Sequence, residues 1–234
     1  VLTIGFPARV ADTNCYVLAP AAGEECLVID PGVGVTDQLA EVLREHRLRP
    51  AAVLLTHGHF DHVYSVTPVC GSAGIAAYIH DDDRYRLADP LSTVDPALVA
   101  MLERQFGQKA AWQEPNDVLA LTHGQRLTIA GLDLSVLHAP GHTEGCVMFT
   151  LPEVPEGVSS DAGVRSTMLS GDVLFAGSIG RTDLAGGDGA AMNRSLRDVV
   201  LPLADDVLVL PGHGPATTMK RERATNPYLQ GLAS

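Results

Sequence analysis

The sequence predicts an α/β (α+β) fold in which two sheets pack face to face with helices outside them. Three observations predict it. Short apolar runs with strand character cluster in both halves of the chain, and each cluster is accompanied by helical segments. The run 51–55 is apolar at every position, as a strand covered on both faces requires. With 234 residues the chain is long enough for a sizeable core, and no linker or short-period repeat divides it, so a single domain over 1–234 is expected.

The elements follow in order. Residues 13–18 and 25–30 read as strands, and Asp30-Pro31-Gly32 ends the second in a turn. Gly32-Val33-Gly34 lacks the third glycine of a dinucleotide motif, so no nucleotide site is read there. Over 36–46, Leu39, Val42, Leu43 and His46 fall on one helical face, with Thr36 as the expected N-cap. The strand 51–55 comes next, then a strand at 76–79 and a helix beginning in 81–87. Asp81-Asp82-Asp83 reads as the acidic, solvated start of that helix. Residues 96–106 read as a weakly amphipathic helix, and 107–126 are of mixed polarity. The region 88–118 is expected to cover the functional site, and its Phe106 and Trp112 weigh more toward the core than toward ligand contact. Strands at 127–129 and 132–138 flank a turn at Gly131, and 146–151 is another strand. Residues 152–166, rich in Pro, Gly, Ser and acid, read as a surface loop. A strand at 167–169, a helix around 190–201 and an apolar strand at 207–210 complete the pattern.

Composition excludes several function classes. Lys and Arg number 16 against 28 Asp and Glu, a formal net charge of −12, so the basic footprint of a nucleic-acid binder or polybasic membrane anchor is missing. No apolar run approaches the ~18 residues that span a bilayer, and the first ten residues hold no signal-type apolar core. Cys15, Cys26, Cys70 and Cys146 are scattered without a CxxC pair and read as small buried residues of a reducing compartment. The cytoplasm is the expected location.

The chemistry concentrates in histidine and aspartate. Thr56-His57-Gly58-His59-Phe60-Asp61-His62 directly follows the apolar strand 51–55 and holds four metal-capable side chains. Zinc takes imidazole nitrogen and carboxylate oxygen, usually about four ligands per ion, so one such turn can divide its ligands between two ions but cannot complete them. Three other strand ends offer the rest: Gly141-His142 after 132–138, Gly171-Asp172 after 167–169, and Gly212-His213 after 207–210. In each, a glycine immediately precedes the ligand and lets backbone approach closely in a crowded turn. His46, His80 and His123 read as structural or solvated histidines.

The set His57, His59, Asp61, His62, His142, Asp172 and His213 resembles the five-motif metal site of the metallo-β-lactamase fold. Within that superfamily the chain is most similar to the glyoxalase II (hydroxyacylglutathione hydrolase) branch, of short bacterial type. Gly171-Asp172-Val173-Leu174-Phe175, Gly180-Arg181-Thr182-Asp183 and the tail through Asn226-Pro227-Tyr228-Leu229 carry that closer likeness. The resemblance implies an αββα sandwich with two divalent metals at one edge of the sheets, zinc first, with iron or manganese as alternatives. It implies His57, His59 and His142 on the first metal, Asp61, His62 and His213 on the second, and Asp172 bridging. The implied activity is hydrolysis of S-2-hydroxyacyl (lactoyl) thioesters by a hydroxide shared between the metals, with Asp61 as orienting group and proton acceptor. Arg181 is the expected contact for a substrate carboxylate, and His138 an expected outer partner of the ligands. His62 and Asp172 depart from the common β-lactamase pattern and disfavour β-lactam hydrolysis. No C-terminal helical domain of the eukaryotic type is expected after His213, which leaves the thiol open between glutathione and another low-molecular-weight thiol. The alternative within the fold is a mononuclear iron persulfide dioxygenase; a nuclease or lactonase ranks lower. The expected partner is the small-molecule thioester alone, with no nucleic acid and no membrane, and the expected state is a monomer or small homo-oligomer.

Overall fold

A computed structural model describes residues 1–106, 112–159 and 162–232. Two six-stranded sheets form the frame. The first runs β1 (Leu2–Pro7), β2 (Asn14–Ala19), β3 (Glu25–Ile29), β4 (Arg49–Leu54), β5 (Ala77–His80) and β6 (Val118–Leu121), in that spatial order. The second takes β7 (Arg126–Ile129), β8 (Leu132–His138), β9 (Val147–Leu151), β10 (Ser166–Gly171), β13 (Val207–Pro211) and β14 (Thr217–Thr218), also side by side in chain order. A small hairpin, β11 (Leu174–Phe175) and β12 (Ser178–Ile179), stands apart from both.

Strand alternation builds three layers of core, because successive side chains leave opposite faces of a sheet. Leu18, Leu27, Ile29 and Leu54 from the first sheet meet Leu134, Val136, Phe149 and Leu169 from the second. The alternate residues Val17, Val28 and Val53 face outward, onto α1 (Thr36–His46) and α3 (Val66–Ala73) through Leu39, Val66 and Val69. Met148, Met168 and Val209 face the other way, onto α6 (Gly189–Ser195), the π-helical stretch Leu196–Val200 that continues it, and α7 (Met219–Thr225). The layers are therefore helix, sheet, sheet, helix, the αββα sandwich expected. Strand 51–55 is realised as β4, covered on both faces as its composition requires.

Several local expectations change. Val35, not Thr36, is the N-cap of α1, and no side chain caps it; Arg47 in the left-handed region closes the helix instead. Residues 81–87 divide into a 3-10 turn, Asp81–Asp83, and α4 (Arg84–Ala88). Asp83 is fully buried, so the acidic run is not solvated throughout. α5 (Pro96–Phe106) matches its expected span. All four cysteines are buried and free. Among the described residues no helix is long and apolar enough to cross a membrane.

Candidate metal centre

The ligand-bearing segments meet because four strands end at one rim. β4 delivers Thr56 to His59, after which α2 (Phe60–Val63) carries Asp61 and His62. β8, β10 and β13 deliver His142, Asp172 and His213. Backbone bonds sew the segments across the sandwich: Val147 N–H donates to Thr56 O at 2.8 Å, Gly212 N–H to Gly171 O at 2.8 Å and Asn14 N–H to Gly212 O at 2.7 Å. The crowding explains the preceding glycine at Gly212, where a Cβ would lie 2.2 Å from Asp172 Oδ1 and 2.8 Å from the His62 ring.

All seven sequence-read donors come together. His57 Nε2, His59 Nδ1 and His142 Nε2 form one group, with separations of 3.2 and 2.8 Å about His59 Nδ1. Asp61, His62 and His213 form a second, with His62 Nε2 and His213 Nε2 3.3 Å apart and Asp61 Oδ2 3.3 Å from His213 Nε2. Asp172 lies between them: Oδ1 is 3.4 Å from His62 Nε2, and Oδ2 is 3.5 Å from both His142 Nε2 and His213 Nε2.

The outer nitrogens fix what the inner ones can do. His142 Nδ1 faces Arg181 O at 2.7 Å, His213 Nδ1 faces Ala11 O at 2.9 Å and His62 Nδ1 faces Asp30 Oδ2 at 3.0 Å. Each partner only accepts, so each Nδ1 must carry the proton. His57 Nδ1 donates to Thr56 Oγ1, which spends its own proton on Asp30 Oδ2 at 2.6 Å. Four neutral imidazoles would therefore turn bare Nε2 lone pairs toward one another and toward carboxylates. Asp172 Oδ1 is buried with no hydrogen-bond partner among the described residues. Convergent lone pairs, an orphaned carboxylate oxygen and outer N–H groups anchored on backbone oxygen or carboxylate fit a pair of divalent cations.

Without a cation the two groups differ electrostatically. Burial, reinforced by the neighbouring imidazoles, holds His57 well below the usual histidine range and pushes His59 down to about 3. His142 is also lowered, by burial first. Burial opposes charge on His62 too, but Asp172 and Asp61 overcome it and hold His62 well above the usual range. His213 is raised against its own burial by its hydrogen bond to Asp61 and by Asp172. Burial would raise the Asp61 carboxyl, yet His62, His213 and the 2.8 Å hydrogen bond from Thr13 Oγ1 hold it well below the carboxylate range.

His138 was not placed as read. The His138 ring stacks on His80 at 3.9 Å and its Nε2 donates to Glu144 O at 2.9 Å, away from the ligand imidazoles. His80, Asp82 and His138 gather metal-capable atoms, but the rings lie parallel and their nearest nitrogens already serve backbone groups. Trp112 packs on the outer core, bonds Leu87 O through Nε1 and does not reach the site; the Phe106 side chain falls outside the described residues. The Arg181 side chain is exposed at the rim and paired with Asp183 at 2.6 and 2.7 Å, while its carbonyl orients His142. A cavity of about 550 Å³ opens over His59, Asp61, His142, Asp172 and His213, with Arg9, Arg181, Leu98, Met101 and Leu184 around it. A larger hollow of about 700 Å³, lined by Thr128, Ser135, Thr150 and Ser166, contains none of these donors. Asp30, read only as the start of a turn, and Arg9 were missed as residues of the site.

This fold and donor set define a metallo-hydrolase class. The chain belongs to the metallo-beta-lactamase superfamily, whose sequence model matches residues 8–213. An uncharacterized protein of Mycobacterium tuberculosis is 41% identical over all of both chains. The hydroxyacylglutathione hydrolase GloC of Haemophilus influenzae is 32% identical, covering 95% of each chain. Among solved structures, the B3 metallo-beta-lactamase BLEG-1 superposes with a TM-score of 0.77 at 35% identity, covering 98% of this chain and 100% of that one. TTHA1623, solved in a di-iron-bound form, gives 0.74 at 34%, covering 97% and 100%.

Proposed function

We propose that the chain is a dinuclear metal thioesterase that hydrolyses S-2-hydroxyacyl thioesters of glutathione or another low-molecular-weight thiol. The observation that carries the reading is the convergence of seven donors in two groups around the shared carboxylate Asp172. His57, His59 and His142 would hold one ion, Asp61, His62 and His213 the other, and Asp172 both. Such ions supply Lewis-acid polarisation of a carbonyl and activation of water near neutral pH. Zinc is the first assignment, and the di-iron form of TTHA1623 keeps iron beside it. The likeness to GloC supports the hydroxyacyl thioester class.

The protein groups do the rest. Asp61, fixed by Thr13, is an acceptor that orients the attacking water; its depressed carboxyl makes it a poor proton store, which narrows its expected role to orientation. Arg9 and Arg181 line the cavity of a chain whose net charge is −12, and they would receive a carboxylate of the thiol carrier, Arg181 by exchanging its exposed partner Asp183. Leu98, Met101 and Leu184 would cover its apolar part.

The test is hydrolysis of S-D-lactoylglutathione by the metal-loaded protein, followed by release of free thiol. Full metal content without hydrolysis of any lactoyl thiol contradicts the reading. Arg181→Ala and Arg9→Ala should raise KM for the glutathione thioester and spare the thioester of the uncharged thiol N-acetylcysteamine. The likeness to BLEG-1 gives a second reading, β-lactam hydrolysis, which a chromogenic cephalosporin assay separates. Oxygen uptake with a persulfide separates the dioxygenase alternative.

A further inference from the structure

We infer that Asp83, braced by Arg86, is a positioning residue for one half of the metal centre: it locks the loops that carry His57, His59 and His142. The inference rests on the two-ion reading of the site. Asp83 is fully buried and accepts three hydrogen bonds from two ligand loops. Gly58 N–H, between His57 and His59, donates to Oδ2 at 2.7 Å. Thr143 Oγ1, next to His142, donates to the same oxygen at 2.7 Å. Gly145 N–H donates to Oδ1 at 2.9 Å. All three donors lie beside His57, His59 or His142; Gly58 shares its segment with Asp61 and His62, but no donor comes from α2, which holds those two ligands, or from the loops of Asp172 and His213.

Arg86, itself 2% exposed, closes the arrangement from behind. Its Nε lies 3.4 Å from Asp83 Oδ1, and its Nη2 donates to Glu144 Oε2 at 2.8 Å and to Ala185 O at 2.9 Å. Ala185 lies in the segment whose Arg181 carbonyl orients His142. The packing leaves no slack. A Cβ on Gly58 would lie 2.7 Å from Arg86 Cβ, and one on Gly145 would lie 2.6 Å from Asp83 N. A carboxylate with both oxygens engaged by fixed donors cannot rotate without breaking bonds in a site shut off from water. The position of three imidazoles relative to one another is thereby tied to one side chain.

Asp30 is a second buried carboxylate that is not a ligand, and it reaches both groups. It accepts from Thr56 N–H at 2.8 Å, from Thr56 Oγ1 at 2.6 Å and from His62 Nδ1 at 3.0 Å. The Thr56 hydroxyl also meets His57 Nδ1 at 3.1 Å, so Asp30 ties His57 to His62, whereas the partners of Asp83 all lie beside His57, His59 or His142.

The test follows zinc binding to the full-length chain by histidine imidazole NMR, in the parent and in Asp83→Asn. Asparagine keeps the shape but offers one acceptor oxygen, and its NH2 faces a donor. The expected result is that His57, His59 and His142 require 10–100-fold more free zinc, a loss typical of outer-shell changes, while His62 and His213 titrate as in the parent. A purely structural role would move all five histidines together, and that result, or no change, overturns the inference. If Asp83→Asn does not fold, Thr143→Val removes one of the three donors and should give a several-fold loss in the same three histidines; an unselective or absent effect there overturns the inference equally. A parent that saturates at one ion would instead refute the two-ion reading. The readout is binding, so failure of thioester hydrolysis leaves the result standing.

Discussion

The two halves of the metal centre, three histidines in one and two histidines with an aspartate in the other, behave differently. His57, His59 and His142 form an uncharged group whose imidazoles burial keeps neutral. His62 and His213 share their group with Asp61 and lie against Asp172, and these carboxylates draw protons onto both imidazoles. The first half is ready for a cation as it stands. In the second the raised histidines favour protons more strongly, and a metal competes with those protons for the same nitrogens. Ligand type alone does not decide how a site loads; the placement of two carboxylates does.

The largest break in this comparison is Asp172→Ala, which removes the one carboxylate that touches both halves. Both ions should weaken by at least ~100-fold, measured by competitive titration against a chelator. Asp30→Asn should weaken both ions by about 10–100-fold, because Asp30 is the partner of His62 Nδ1 and of the Thr56 hydroxyl that meets His57 Nδ1. The same titration should show both halves affected, against one half in Asp83→Asn.

A pH series sharpens the contrast. His62 and His213 are raised, so their protons begin to compete with metal above the ordinary histidine range. Affinity of the second half should fall as pH drops through neutrality, by about tenfold per pH unit for each proton displaced. The lowered histidines of the first half take up protons only at more acid pH, so its affinity should stay flatter than that of the second half through neutrality. Equal slopes for both ions would contradict the assignment. The smallest effect is Thr13→Val, which removes the hydrogen bond to Asp61 Oδ2. It should cost about 1 kcal/mol, a several-fold loss confined to the second half, read by calorimetry.

What the sequence made legible follows the range of the forces. Each of the seven donors sits just past a strand or inside one short turn, with glycine before the lone ligands, so a local pattern marks it. The αββα layers follow from alternation along β2, β3, β4 and β9, where both faces are apolar. β1 carries Gly5 and Pro7 and is an edge strand, where a missing ladder donor is tolerated, so its strand character is weak. α3 contains Pro68 in its first turn and Gly71 beyond it, which obscured a helix that tertiary packing of Val66 and Val69 secures. Asp30 and Asp83 act through donors far along the chain, so no local spacing could show them. Asp83 stood in an acidic run that resembles a solvated helix start, and only its partners Gly58, Thr143 and Gly145 reveal it. His138 was drawn toward the site by its nearness in sequence to His142, but it leaves β8 toward His80.

The central claim is that seven donors make two cation sites. Its most direct test is the metal stoichiometry of the chelator-stripped protein titrated to saturation with zinc. The account predicts two ions per chain, falling to one when His59→Ala or His213→Ala removes a donor from either half. Saturation of the parent at a single ion would contradict it.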